Sequence, residues 1–288
     1  MSAGERRPAT VALLQVDTRL RDAVPPEERL FAERALRVPR RDLEPGPWTS
    51  DELLGDSVRP FAGLVLSGLI THDVILAGRA SATLIGPGDV FRPWRLAETS
   101  LPCTVRWAAT GGAAIAVLDE RFLTVARRWP GLSAVIHERL AEQVETATLR
   151  AAIVGLPRVE QRVIALFWQL ADRWGVVRAH GVDVELALTH QLIGHLVGAQ
   201  RPTVSLALHT LAEAGLLRRG ETGVWTLDPD SWSTLSSTVD HRFACASAQH
   251  ARPLPGGTRG SASPHDVECA GEPRAVENGS WRPSAPRA

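Results

Sequence analysis

Between residues 188 and 217 the apolar positions recur three and four apart, and that spacing predicts two short helices in succession. Thr189 stands as N-cap of the first, with Leu192, Ile193, Leu196 and Val197 on one face. Gly198 breaks that helix, supplying the freedom to adopt positive φ that a turn between two packed helices needs. Gln200-Arg201-Pro202 opens the second helix, with proline in the first turn, where its missing N–H costs nothing. Val204, Leu206, Leu208, Leu211 and Ala212 supply its apolar positions, and Gly215 ends it. Residues 216–219 and 224–227 then flank a Gly-bounded turn and read as a hairpin. A helix-turn-helix followed at once by a hairpin is a winged helix, suited to laying its second helix in a DNA major groove. The local pattern alone would also fit an ordinary helical hairpin in an α-helical core.

The pattern upstream divides into three stretches. Residues 11–16 suit a short helix or strand, and Pro25-Pro26-Glu27-Glu28 starts a helix through Leu30, Phe31, Ala35 and Leu36 that Pro39 closes. Residues 40–58, rich in Pro, Gly and charge, read as irregular with short extended pieces. From Phe61 to Leu118 short apolar runs alternate with turns such as Gly86-Pro87-Gly88-Asp89 and Gly111-Gly112, which predicts a β-sandwich or small barrel. A short helix at 119–128 stops before Pro130, and a longer one follows over about 132–154. On the longer one Leu132, Ile136, Leu140, Val144, Ala147, Ala151 and Val154 form one stripe, read as a dimer seam in preference to packing within one domain. Residues 158–174 make a further helix with Val163, Leu166, Phe167 and Leu170 inward, and 182–186 a short strand.

Composition narrows the function classes. In 288 residues Lys+Arg and Asp+Glu both total 32, so no global basic field announces nucleic acid. Residues 158–230 hold seven Arg (158, 162, 173, 178, 201, 218, 219) against eight acids (160, 172, 183, 185, 213, 221, 228, 230), so that any DNA-binding face must be local. Arg201, Arg218 and Arg219 lie in the elements that would touch DNA. Cys103, Cys245 and Cys269 are too widely spaced for a disulfide framework, and no stretch has signal-peptide or membrane-span character, which points to a cytoplasmic protein. The β region offers His72 and no metal triad, and no nucleophile–base set stands out, so enzyme, metal and cofactor readings are set aside. His241-x3-Cys245 and His265-x3-Cys269 have metal-ligand spacing, but they sit in a Pro/Gly/Ser/Arg-rich tail that reads as disordered.

A β-roll, a long helix and a C-terminal winged helix together resemble the Crp-Fnr family of bacterial transcription regulators. The resemblance covers roughly residues 27–230. It is most specific at Gly86-Pro87-Gly88-Asp89-Val90-Phe91, at Val117-Leu118-Asp119-Glu120-Arg121-Phe122, and at Val197-Gly198-Ala199-Gln200-Arg201-Pro202-Thr203-Val204-Ser205. It implies an α+β fold: a cyclic-nucleotide-binding-like β-roll, a long dimerisation helix and a winged helix-turn-helix. Arg201 matches a position that often reads guanine, and Thr203 one that contacts phosphate. Pro202 and Leu206 depart from the residues usual there, a Glu and a second Arg, so the operator should differ, with Leu206 half-buried or against a thymine methyl. Thr189, Gln200, Ser205 and His209 complete the candidate DNA contacts with Arg218 and Arg219.

For an effector the resemblance points the other way. The Gly-Glu and Arg-Ser pairs of cyclic-nucleotide binders are replaced by Arg92-Pro93-Trp94-Arg95 and Leu101-Pro102-Cys103-Thr104, leaving Gly88, Arg92 and Arg95 as weak candidates. The boundaries expected are 1–118 for the roll, 119–155 for the short and dimerisation helices, 156–230 for the winged helix and 231–288 for the tail. The expected function is sequence-specific DNA binding by a homodimer, its seam formed by Leu132, Ile136, Leu140, Val144, Ala147 and Ala151. Double-stranded DNA is the partner, RNA polymerase and an unknown small-molecule effector are further candidates, and no membrane is involved. The alternatives are a cyclic-nucleotide-responsive regulator with a divergent pocket and a protein-contact regulator that has lost DNA binding.

Overall fold

A computed structural model describes residues 9–50, 53, 60–93, 100–221 and 223–234. Strand β1 (Thr10–Ala12) leads into two short helices, α1 (Leu13–Val16) and α2 (Thr18–Asp22), the second capped by Asp17, whose carboxylate accepts from Leu20 N. The prolines at 25 and 26 start a 3-10 turn, Pro26–Glu28, that runs into α3 (Arg29–Ala35). Two expectations fail here. Leu30 and Phe31 face solvent, and Ala32 and Leu36 are the buried positions. The helix ends before Pro39, which lies inside β2 (Arg37–Leu43). Proline is tolerated there because its partner is Thr10 of the three-residue β1, at the rim of the sheet. The short extended pieces expected after residue 40 are the end of β2 and β3 (Gly46–Trp48).

Strands β4 (Pro60–Ser67), β5 (Ile70–Leu76), β6 (Arg79–Ile85), β7 (Val90–Phe91), β8 (Cys103–Ala109) and β9 (Ala113–Asp119) complete two antiparallel sheets, ordered β1-β2-β9-β4-β7 and β3-β8-β5-β6. Between them lies a core built from Trp48, Val65, Ile70, Ile85, Phe91, Ile115 and Val117. Strand β9 is buried at almost every position because one face meets this core and the other meets the N-terminal helices.

Asp119 caps α4 (Glu120–Ala126) by accepting from Phe122 N at 2.8 Å. Helix α5 (Pro130–Val154) starts on its proline and spans 25 residues, roughly 37 Å at 1.5 Å per residue. Its apolar stripe divides. Leu132 is fully buried in the core shared by α1, α2, α3 and the outer face of the roll, and Ile136 packs against the same cluster. Leu132 is therefore spent within its own protomer and leaves the expected seam, which begins at Leu140. From there Leu140 is 41% and Val144 66% exposed, and Ala147 and Ala151 are exposed as well.

Helix α6 (Val159–Trp174) turns Val163, Leu166, Phe167 and Leu170 inward, as its spacing predicts. A hairpin of β10 (Gly175–Arg178) and β11 (Gly181–Val184) follows. Helices α7 (His190–Val197) and α8 (Arg201–Glu213) and strands β12 (Leu217–Arg219) and β13 (Trp225–Leu227) complete a winged helix whose sheet runs β10-β11-β13-β12. Residues 231–234 form a further helical turn, with Ser231 fully buried and its hydroxyl accepting from Trp168 Nε1 at 3.0 Å. Order thus continues past residue 231, where the tail was expected to begin. His241, Cys245, His265 and Cys269 lie outside the described residues. Leu69, Ala82 and Leu84 of the roll belong to the same buried cluster as the winged helix, so the two parts share one core.

Candidate nucleic-acid interface

The turn between α7 and α8 is set by local chemistry. Thr189 Oγ1 accepts from Leu192 N at 3.1 Å and so closes the first turn of α7. Gly198 ends the helix in the left-handed region at φ 65°, where a side chain would be strained and a Cβ would also meet Val154 Cγ1 at 3.1 Å. Ile193, Leu196 and Val197 of α7 pack with Val204, Leu208 and Leu211 of α8. Arg162 donates to Leu156 O at 2.6 Å and to Val197 O at 3.4 Å, tying the end of α7 to the start of α6.

Burying one side of α8 turns the other side out. Gln200, Arg201, Pro202, Thr203 and His209 are exposed, and Leu206 is 65% exposed. Neither Leu206 nor Ala212 takes part in the apolar face expected of the helix; Ala207 is buried in their stead. Leu206 is thus turned to solvent and not half-buried. Ser205 is half-buried and already engaged, donating to Arg201 O at 3.1 Å and lying 2.9 Å from His190 Nδ1. His209 lies 3.3 Å from Glu213 Oε1, one turn on. Arg201 has no acidic partner among the described residues and stands in the first turn of α8, where backbone N–H groups also point outward. On the wing Arg218 is exposed, while the Arg219 guanidinium lies 5.1 Å over the Trp225 ring.

The structure brings Thr189, Arg201, the outward face of α8 and the two wing arginines into one domain. Of the weak effector candidates, Gly88 and Arg92 line none of the cavities described here. Gly88 sits at φ 88° in open space, Arg92 lies 5.7 Å over the Phe61 ring, and Arg95 lies outside the described residues. A cavity of about 520 Å3 lies between β6, β7 and α5 and is lined by Asp89, Arg150 and Arg173 among others. Asp89 belongs to the Gly86–Phe91 turn read in the sequence, but nothing local marks Arg150 or Arg173, and the three meet only through tertiary packing. Asp89 Oδ2 accepts from Gly86 N at 2.8 Å, and its Oδ1 accepts from Arg173 Nη2 at 2.7 Å. Trp174 covers Gly86 so closely that a Cβ there would come within 2.4 Å of its ring. His72, in the roll, stacks on Trp107 at 4.3 Å, and burial lowers its pKa, which suits a packed imidazole. Among the described residues no three His, Cys, Asp or Glu side chains cluster to hold a metal ion.

A family profile described as a Crp-like helix-turn-helix domain matches residues 161–231, spanning α6 to the turn after the wing. The cyclic AMP receptor protein of Thermus thermophilus is 27% identical over 162 residues, covering 54% of this chain and 70% of that one. Residues 161–231 thus form a Crp-like helix-turn-helix domain, in a chain similar to a cyclic AMP receptor protein. Solved structures agree with this fold. A CooA mutant from Carboxydothermus hydrogenoformans superimposes with a TM-score of 0.54 at 18% identity, covering 70% of this chain and 87% of that one. A cyclic nucleotide-binding domain containing protein from Listeria monocytogenes EGD-e reaches 0.57 at 13% identity, covering 75% and 99%. The protein is thus a DNA-binding transcription regulator, with an N-terminal cyclic-nucleotide-binding-like β-roll, a long helix and a C-terminal winged helix-turn-helix. No helix among the described residues is long and apolar enough to cross a membrane.

Proposed function

We propose that two copies of this regulator bind a two-fold-related operator in the cytoplasm, each laying α8 in a major groove. The observation that carries this reading is the outward face of α8, which opens on Arg201 with no acid paired to it and continues through Thr203 and Leu206. Arg201 reads guanine, since its guanidinium fork can meet O6 and N7 together. Thr189, Gln200 and Thr203 contact phosphate or base edges at the start of the two helices, Pro202 approaches the groove wall, and Leu206 meets a thymine methyl. Ser205 and His209 contact DNA only after giving up their present partners. Arg218 and Arg219 take the phosphates flanking the groove. The exposed stripe of α5 from Leu140 through Ala151 pairs the protomers and fixes the half-site spacing. A regulator acting at a promoter works beside RNA polymerase, the second partner in this reading, and catalysis has no role in it.

Selection from a random DNA pool tests the proposal. The wild type should enrich a palindrome. Arg201→Ala should lose about 1–3 kcal/mol of discrimination at one base pair per half-site, a loss of roughly 5- to 150-fold, with less effect on non-specific affinity. Arg218→Ala should weaken all sequences alike and reduce the salt slope by about one. Unchanged sequence preference in Arg201→Ala would remove α8 from the groove.

A further inference from the structure

The C-terminal half of α5 has a second apolar face, which the pairing of two protomers leaves uncovered. Leu149 stands two positions from both Ala147 and Ala151, just over half a turn round the helix from the stripe assigned to the seam. It is 50% exposed. Leu149, Ala152 and Leu156 of α5 and Trp168 of α6 line a groove of about 700 Å3. Trp232, itself 42% exposed, lines it from the helical turn 231–234, which Ser231 ties to Trp168 Nε1 at 3.0 Å. Asp172 lies in the same lining. Its carboxylate has no hydrogen bond or ion pair among the described residues, and burial pushes its pKa up. Apolar surface gathered in one groove, beside a carboxylate without a cation, is the kind of surface that a binding segment covers.

We propose that the chain's own next residues, 235–243, occupy this groove, with Leu235, Val239 and Phe243 on its apolar lining and Arg242 on Asp172. The described chain ends at Thr234, one residue past Ser233, which already lines the groove. The segment therefore starts at its site, and so short a tether gives it an effective concentration on the order of millimolar, which a separate partner would have to match. Trp232, Leu235, Val239 and Phe243 advance by steps of 3, 4 and 4, one stripe at the period of the helical turn it continues. No proline or glycine interrupts the sequence from Ser231 to Arg252, whereas the Pro- and Gly-rich composition of the tail begins at Pro253. The lengths agree. From Leu149 to Leu156 α5 rises roughly 10 Å, and nine residues in helical form span about 14 Å. A second copy is the poorer occupant, because the stripe that pairs two protomers lies on the other side of α5. Docked in the groove, the segment clips the end of α5 to α6, at the joint between the long helix and the winged helix.

Limited trypsin digestion of the full-length protein without DNA, followed by mass spectrometry, tests this. The chain has no lysine, and Arg252 and Arg282 precede proline, so the informative bonds in the tail follow Arg242, Arg259 and Arg274. Cleavage after Arg242 should be slower than after Arg259 and Arg274 by about tenfold or more, because it requires the segment to leave the groove first. Val239→Asp in the segment, or Leu149→Asp on the exposed wall, should each bring the Arg242 rate up to that of Arg259. Val239→Ile should keep the protection. Leu149→Asp is checked by helical circular dichroism, and Val239→Asp lies outside the described fold, so the pair stays informative if one variant folds poorly. Protection should persist on dilution, as an intramolecular contact requires. The proposal is overturned if Arg242 is cut as fast as Arg259 in the wild type, or if either aspartate variant folds and keeps the protection. Loss of protection on dilution also overturns it, and gives the groove to a second copy.

Discussion

Replacing Leu140 and Val144 together by Asp is expected to leave the regulator monomeric and to abolish cooperative occupation of paired half-sites. Leu140, Val144, Ala147, Ala151 and Val154 advance by steps of 4, 3, 4 and 3, the average period of 3.5 that keeps one seam facing a partner helix. Leu140 is 41% and Val144 66% exposed in the single chain. Burying such a side chain is worth about 1.5–3 kcal/mol, and a two-fold interface uses each residue twice, so the two positions offer roughly 6–12 kcal/mol before association entropy is subtracted. Asp at both places removes that gain and sets like charges against each other. Sedimentation or light scattering at micromolar concentration reads the mass directly. Because neither side chain supports its own protomer, the helical circular dichroism should be unchanged. A variant that stays dimeric would place the interface elsewhere.

Phe167→Ala is expected to cost about 3–5 kcal/mol of stability, the range for emptying an aromatic site in a packed core. Phe167 is fully buried on α6, its ring centroid 4.9 Å from that of Trp225 on the wing, and it belongs to the cluster that also holds α7 and α8. Losing it removes the common support of the recognition helix and the wing. Urea denaturation followed by tryptophan emission measures the change. Leu206→Ala serves as the internal comparison, since that side chain is exposed and its removal should move the midpoint little while altering DNA preference. A cost below about 1 kcal/mol for Phe167→Ala would mean that the cavity collapses freely and that the core is less tightly packed than its burial implies.

The winged helix was legible because its physics is local. A hydroxyl cap at Thr189, a glycine at 198, a proline at 202 and a 3.6-residue period each act within a few positions of one another. The strands that escaped notice lacked a period to read. Strand β10 carries Val176 and Val177 side by side, both exposed, so no alternation marks it. Strand β2 is rich in arginine and contains Pro39, so that its start at Arg37 shows only once its pairing with β1 and β9 is known. The stripe on α5 was correctly periodic, yet periodicity cannot tell a residue that packs on its own roll, Leu132, from one left in water, Val144. Arg150, Asp89 and Arg173 stand up to 84 positions apart and meet only when the roll, α5 and α6 close on one another.

Leu69, Ala82 and Leu84 reach from the roll into the core of the winged helix, and this places a value on any reorientation of the recognition helix. Swinging the winged helix away would return these side chains to water, at about 1.5–3 kcal/mol for each leucine and less for the alanine. The sum is a few kcal/mol, the size of gap at which the less favoured of two arrangements is populated at the per cent level or somewhat below. A ligand that prefers one arrangement by that margin can invert the balance, whereas one that binds both equally changes nothing. The hydrophobic contact between roll and winged helix would thus set the gain of any such switch, and trimming Leu84 would make it trip at lower signal.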